Sequence, residues 1–474
     1  MTQLILGPII GGLSSTRANL WGRADSPATL HAWIGATPDL SDARLAAKSL
    51  PLVAENGYAG VAPLSELSPD TRYFYALTLA DTPPLPHPGA YPSFTTFPIS
   101  GERQSFIFAF GSCFRPADQN GGGIFTALDA LCQREHVRFL LLIGDQIYAD
   151  AHDLNGIGKI ACTLPEYRGV YAYTWSRPPL RSLLAHLPVF MTLDDHEVDD
   201  DWHWLDRERQ WATIPWWDKM VRWFQGRPPQ ERSLPLKRVQ DALQAYWEHQ
   251  AMHAPPMHTP PSLNLAGQYT LETGQPGSLA YSFNFGAAAF FVLDTRTMRV
   301  INRQERIMLG EDQWQALENW LLRVKDAYPL KFLVTSSTLL HNMLLDFPRD
   351  RWPGFPQERA RLLSFLAANG IHDLYLLAGD LHSAHAIRAD LYGPQETEIP
   401  LWEFCSSPFE QSSRNYPRWT YSPITGGVVR KQQRFFNLNE NNFGLVRVDF
   451  SAERPRLSFE LYGSQGDLLA SVQA

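Results

Sequence analysis

The sequence predicts an α/β protein in which a β-sandwich of roughly 100 residues precedes a larger domain of alternating strands and helices. Three observations carry that prediction. Residues 1–99 hold seven short apolar runs separated by turn residues, with no sustained helical period. From Phe106 onward, short apolar runs alternate with stretches whose apolar residues fall three and four apart. Four of those runs stop at a polar junction: Gly111-Ser112-Cys113, Gly144-Asp145-Gln146-Ile147-Tyr148, Asp194-Asp195-His196-Glu197 and Gly379-Asp380-Leu381-His382. A buried strand delivers such residues to the loop at its C-terminal edge. Four junctions of this kind gather ligands of metal type along one sheet edge, which points to a polynuclear metal centre.

The seven predicted strands of the first region are Leu4–Ile10, Arg17–Gly22, Leu30–Gly35, Arg44–Leu50, Ala59–Leu64, Tyr73–Leu79 and Ser93–Phe97. Leu67-Ser68-Pro69-Asp70-Thr71-Arg72-Tyr73 puts a proline turn before alternating aromatics and resembles the E–F corner of fibronectin type III and immunoglobulin-like modules, with Tyr73 as the corner tyrosine. Pro83, Pro84, Pro86, Pro88 and Pro92 then lack N–H donors and are fixed in φ, which suits a stiff connection. The domain boundary is placed near Gly101, giving units of 1–99 and 104–474.

In the second region Phe125, Leu128 and Leu131 predict a helix over 125–134, and a further helix is predicted over 180–186. Between about residues 199 and 275 the alternation is lost. Trp202, Trp204, Trp211, Trp216, Trp217, Trp223 and Trp247 crowd there, nearly half of the chain's 15 tryptophans, so a Trp-rich insertion beside the metal edge is expected. Residues 240–249 are its predicted helix. Strands are predicted at 281–285, 288–294, 331–337 and 374–378, and helices at 312–324 and 356–369. The tail supplies two strands, 445–450 and 456–461, expected as a hairpin on a sheet edge. Two sets of αβ units suggest two facing sheets with helices outside.

At 474 residues the chain exceeds one average domain. Its 41 basic and 49 acidic residues give a net charge of −8, which disfavours nonspecific nucleic-acid binding by counterion release. Cys113, Cys132, Cys162 and Cys405 are too few and too scattered for a disulfide framework. The N-terminus shows no basic n-region or twin arginine, and no run approaches the ~18 apolar residues of a membrane span. A soluble, monomeric cytoplasmic protein is expected as written, or a periplasmic or secreted one if a leader precedes it.

The residue types at the junctions narrow the chemistry. Asp145 is suited to bridge two cations, because a carboxylate has two oxygens. Tyr148 lies three residues on and could turn its phenol to the same metal. Phenolate and thiolate are strongly donating anions, so Cys113 and Tyr148 on one metal favour Fe(III). Asp195 and Asp380 add hard oxygen, which suits a divalent ion such as Ca, Mn or Mg.

These four junctions, with Leu293-Asp294-Thr295-Arg296 and Leu309-Gly310-Glu311-Asp312-Gln313-Trp314 between them, resemble the PhoD-like alkaline phosphatases of the metallophosphatase (calcineurin-like) superfamily. The resemblance implies a four-layer αββα sandwich that hydrolyses phosphate esters. It implies Fe(III) on Cys113, Asp145, Tyr148 and His382, and calcium or another divalent ion on Asp145, Asp195 and Asp380. A metal-bound hydroxide would attack in line, with His196 as general acid. Asp194 or Glu197 is expected to orient His196, and Arg296 is a candidate phosphate contact with a structural salt bridge as its other reading. The superfamily's histidine for the second metal has no counterpart in Val334-Thr335-Ser336-Ser337, and His341 lies too far along, which leaves water to complete that metal.

The expected substrate is a small-molecule phosphate mono- or diester. Phospholipase- or nuclease-type diester hydrolysis is the alternative within the same chemistry. A catalytically retired interaction protein, whose sandwich mediates contacts and whose metal site is relict, is the alternative from another class, and the full ligand set with His196 argues against it.

Overall fold

Seven strands form where seven were predicted: β1 (Leu4–Gly11), β2 (Ala18–Ala24), β3 (His31–Gly35), β4 (Arg44–Lys48), β5 (Ala59–Leu64), β6 (Arg72–Thr78) and β7 (Ser93–Thr95). They pair into two antiparallel sheets, ordered β1-β2-β5 and β4-β3-β6-β7. The Tyr73 hydroxyl accepts the Ser68 N–H at 3.0 Å across the proline turn. The computed structural model describes residues 2–118, 121–203, 220–221, 224, 234–271, 277–301, 306–343, 350–394 and 396–474.

After the proline-rich connection the chain forms β8 (Phe106–Gly111), α1 (Gly123–Glu135), β9 (Leu140–Ile143), α2 (Leu164–Trp175), α3 (Pro178–Leu184), β10 (Val189–Thr192) and α4 (Leu236–His249). The second set is β11 (Tyr281–Phe285), β12 (Ala288–Val292), β13 (Val300–Ile301), β14 (Arg306–Ile307), α5 (Glu311–Val324), β15 (Leu330–Thr335), α6 (Pro356–Ala368) and β16 (Leu374–Ala378). It continues with β17 (Ala384–Tyr392), β18 (Glu398–Cys405), β19 (Val429–Leu438), β20 (Asn442–Asp449), β21 (Arg456–Gly463) and β22 (Leu468–Gln473). Six strands order as β10-β9-β8-β20-β21-β22 and seven as β11-β12-β15-β16-β18-β17-β19. β8, β9 and β10 run parallel, as do β12, β15, β16 and β18.

Period-two alternation decides what each strand faces. Phe106, Phe108 and Phe110 point one way into a core shared with Phe290 and Phe332, while Ala109 points the other way, among Leu128 and Leu131 of α1. The two sheets therefore face each other through aromatic rings. Phe108 meets Phe332 edge-on at 5.2 Å, and Phe404 stacks on Phe459 at 4.8 Å. α5 and α6 cover the outer face of the seven-stranded sheet through Trp314, Leu317, Leu362 and Leu366, packed with Phe291 and Leu333.

The two N-terminal sheets are tied to the helices beside them. Trp21 Nε1 donates to the Glu248 carbonyl at 2.8 Å, and Arg168 of α2 clamps the Glu248 carboxylate through Nε at 2.7 Å. Ile10, Leu20 and Tyr75 share one apolar core with Phe108.

One sequence expectation is corrected, and two sets of elements lie beyond what the sequence reading anticipated. The predicted C-terminal hairpin forms, as β20 paired to β21, but not at the edge: β20 also pairs with β8, and β22 takes the edge. Helix α2 was unforeseen, although Thr163-Leu164-Pro165-Glu166 forms a capping box with proline in the first turn. β17, β18 and β19 were also unforeseen. In the Trp-rich stretch, Trp204, Trp211, Trp216, Trp217 and Trp223 lie outside the described residues. Of the others, Trp202 is buried and Trp247 stacks on Tyr269 at 6.3 Å. Among the described residues no helix is long and apolar enough to cross a membrane.

Candidate metal centre

The four polar junctions sit at the C-terminal ends of β8, β9, β10 and β16, so one sheet contributes three and its facing sheet the fourth. Their loops come very close. A Cβ on Gly379 would lie 2.5 Å from Ser112 Oγ and 2.8 Å from the Ile143 carbonyl, which is why the residue before Asp380 carries no side chain. Cys113, Asp145, Asp380 and His382 all take the left-handed backbone conformation, with φ of 62°, 56°, 65° and 54°. That conformation is costly for residues with a Cβ and concentrates at functional sites.

Cys113, Asp145 and His382 bring ligand atoms within 4.8 Å of one another, as do Asp145, Asp195 and His196, and Asp145, Asp194 and Asp380. Asp145 is the member common to all three groups. Cys113 Sγ lies 3.2 Å from Asp145 Oδ2, and the Tyr148 hydroxyl 3.1 Å from His382 Nε2. Every metal ligand expected from the sequence is thus drawn into one pocket. His382 Nδ1 meets the Ser412 carbonyl at 2.9 Å, which fixes the ring and leaves Nε2 facing the cluster.

The electrostatics of the cluster favour compensating positive charge. Burial, then the neighbouring Cys113, pushes the Asp145 carboxyl well above the usual range, and burial followed by Asp194 does the same to Asp380. Burial, then Asp380, raises the Cys113 thiol to about 12. Burial with the Arg414 charge lowers His382 to about 4. Asp194 Oδ2 is buried with no hydrogen-bond donor, and Asp195 Oδ1 has only the Arg296 Nη2 at an ion-pair distance of 3.5 Å. Crowded acids with orphaned oxygens are compensated by cations. A thiol, a phenol, an imidazole and several carboxylates form a mixed soft and hard donor set that fits metal ions.

His196 stands beside this cluster, and its ring lies 4.1 Å from that of Tyr148. Its Nδ1 is 2.8 Å and 2.9 Å from the two oxygens of Asp150. Burial alone would lower the imidazole pKa; Asp150, Asp195 and Asp145 together raise it well above the ordinary value. The acceptor that orients His196 is therefore Asp150, and neither Asp194 nor Glu197 fills that role. Asp150 lies two residues beyond the Gly144–Tyr148 junction, and that adjacency is the signal the sequence offers for it.

Glu197 instead locks two loops together. Its carboxylate accepts the N–H groups of Asp145 at 3.2 Å, Gln146 at 2.7 Å and Asp194 at 2.9 Å. Asp194 faces the Arg296 guanidinium and accepts from Ser336 Oγ at 2.8 Å. Ser336 occupies the strand end where a histidine was sought, and His341 stacks on His385 at 4.8 Å instead. Arg296 is fully buried: Nε reaches Asp194, Nη2 donates to Asp350 Oδ2 at 2.9 Å, and Nη1 reaches Asp350 Oδ1 and the Trp202 carbonyl. A phosphate contact from Arg296 would require it to release one of these carboxylates.

The sequence matches the family described as PhoD-like phosphatase over residues 108–459. Alkaline phosphatase D of Bacillus subtilis (strain 168) is 26% identical over 360 residues, which are 68% of this chain and 52% of that protein. The chain thus spans about half the length of that curated relative. A solved structure of PhoD superposes with a TM-score of 0.68 at 18% identity, covering 99% of this chain and 88% of the other. The purple acid phosphatase PPD1 from yellow lupin (Lupinus luteus) seeds gives 0.56 at 13% identity, covering 98% and 73%. At these identities the two structures share a mixed α/β fold of several sheets with this chain.

Proposed function

The chain belongs to the PhoD-like phosphatase family, and on that premise we propose that it hydrolyses small-molecule phosphoric esters at a binuclear metal centre. The observation that carries the reading is the position of Asp145, common to the group with Cys113 and His382 and to the groups with Asp195 and Asp380. Cys113, Asp145, Tyr148 and His382 would hold Fe(III). Asp145, Asp195 and Asp380 would hold calcium, or manganese or magnesium in its place. Such cations supply positive charge for the phosphate oxygens and lower the pKa of a water molecule.

The chain's own residues do the rest. Asp150 holds His196 by Nδ1, which leaves Nε2 to carry the proton for the departing ester oxygen. The Tyr148 ring against His196 limits how far the imidazole can swing. Glu197 fixes the Asp145 and Asp194 loops at one separation. Arg296 pairs with Asp194 and Asp350 and lies 3.5 Å from Asp195 Oδ1, so one guanidinium offsets part of the acidic charge beside the proposed ligands.

The same reading assigns residues 104–474 to a four-layer αββα metallophosphatase domain, supported by facing sheets with helices packed outside. It assigns residues 1–99 to a fibronectin-like sandwich, supported by two antiparallel sheets and the Tyr73 to Ser68 contact.

The deciding experiment is elemental analysis of the purified protein together with rates on a chromogenic phosphomonoester and its matching diester. Iron with calcium or manganese and measurable turnover are expected, and the ratio of rates assigns the ester class. Protein that stays metal-free and inert after reconstitution would overturn the proposal in favour of a retired binding protein.

A further inference from the structure

Cys113 has two hydroxyl neighbours whose arrangement the chemistry above does not use. Ser112 Oγ lies 3.2 Å from Cys113 Sγ, and Ser407 Oγ donates to the same sulfur at 3.3 Å. Both serines are fully buried. Each hydroxyl also accepts one backbone N–H from the loop that carries the other metal ligands: Asp380 N donates to Ser112 Oγ at 3.1 Å, and His382 N donates to Ser407 Oγ at 3.0 Å. An oxygen that accepts an N–H has its own proton free to give, and for both serines the sulfur is the acceptor at hand. The two come from separate places, one at the end of β8 and the other beyond β18, 294 residues from Cys113. They converge on one atom by the same pattern.

We propose that Ser112 and Ser407 are positioning residues that clamp the Cys113 thiolate from two sides and withdraw charge from it. The inference rests on Cys113 being a thiolate ligand of the metal. Hydrogen bonds to a ligating sulfur weaken its donation, which raises the reduction potential of the metal and leaves it a stronger Lewis acid. A ferric ion with both a thiolate and a phenolate is otherwise strongly donated to, so two O–H donors on the sulfur restore its pull on substrate oxygens. The same hydroxyls tie the sulfur to the backbone of Asp380 and His382, so ligands from the two facing sheets keep one spacing. Gly379 makes that contact possible, because a Cβ there would collide with Ser112 Oγ.

The test reads the sulfur directly and does not depend on turnover. The full chain is loaded with Co(II), whose thiolate charge-transfer band reports sulfur donation. Wild type should show the band and Cys113→Ser should lose it; a wild type without it would overturn the ligand assignment itself, before the serines are considered. With the band established, Ser112→Ala and Ser407→Ala should each move it to lower energy. The double variant should move it further, and Ser407→Thr, which keeps the hydroxyl, should restore the wild-type position. In iron-loaded protein the same alanine variants should have lower reduction potentials. Two positions are used so that either variant carries the test if the other does not fold. An unshifted band in a folded, metal-loaded alanine variant would overturn the proposal.

Discussion

Asp150 and His196 form a two-oxygen contact, with both carboxylate oxygens within 2.9 Å of Nδ1, and the Asp200 N–H holds the carboxylate in place at 3.0 Å. The pair belongs to loops after β9 and β10 and so depends on the register between those strands, in which Ile143 pairs with Thr192. Asp150→Asn should lower kcat about 10- to 100-fold, the usual cost of losing a group that orients another. His196→Ala should cost roughly two to four orders of magnitude, as for loss of a general acid. Steady-state rates with parallel metal analysis check both, and loss of metal from His196→Ala would make that residue a ligand.

Cys113→Ser should abolish the visible thiolate band and release iron. Absorption spectra and iron content measured on the same sample decide this. Iron retained at the wild-type level would reduce Cys113 to a core residue.

Arg296 is placed to stabilise, so Arg296→Ala should leave Asp194 buried without its counterion and Asp350 with Arg299 alone, and destabilise the fold by about 3–5 kcal/mol. Burial alone would raise Asp350; the charges of Arg296 and Arg299 hold its carboxyl well below the usual range. Denaturant unfolding gives the free energy. A raised KM with unchanged stability would instead make the guanidinium a phosphate contact.

Chelation should lower the thermal midpoint, because the buried carboxyls of Asp145, Asp195 and Asp380 then lose the cations that compensate their burial. Restoring a divalent ion at 100 times its dissociation constant should return about 2.7 kcal/mol per site. Calorimetry with and without chelator reads the difference, and an unchanged midpoint in metal-free protein would remove the cations from the stability of this edge.

The proposed ligands were legible because each sits where a short apolar run stops, a signal contained within about ten residues. Cys113, Asp145, Asp195 and Asp380 all follow that rule. What was not legible depends on contacts distant in sequence. Ser407 reaches Cys113 only because β18 lies beside β16, and the pairing order of strands is not written locally. β17 escaped notice because its buried His385 and its Arg388 are satisfied across or along the sheet, by Glu403 and Asp390, so the strand does not look apolar. Asp150 was visible as a residue; its partner was set by how the β9 and β10 loops fold over one another.

The left-handed backbone at Cys113, Asp145, Asp380 and His382 has a consequence for how metal arrives. Each such residue costs of order 1–3 kcal/mol, and it persists because surrounding structure over-determines it. Here the determinants are Glu197 on the Asp145 N–H and the two serines on the Asp380 and His382 N–H groups. We expect these contacts to form with the rest of the fold and to hold the cage before the ion enters, unlike small domains whose chain orders only around a bound ion. Uptake should therefore be a simple bimolecular docking event, with an observed rate proportional to ion concentration and no slow unimolecular plateau. Circular dichroism should stay flat throughout, since no secondary structure remains to be formed.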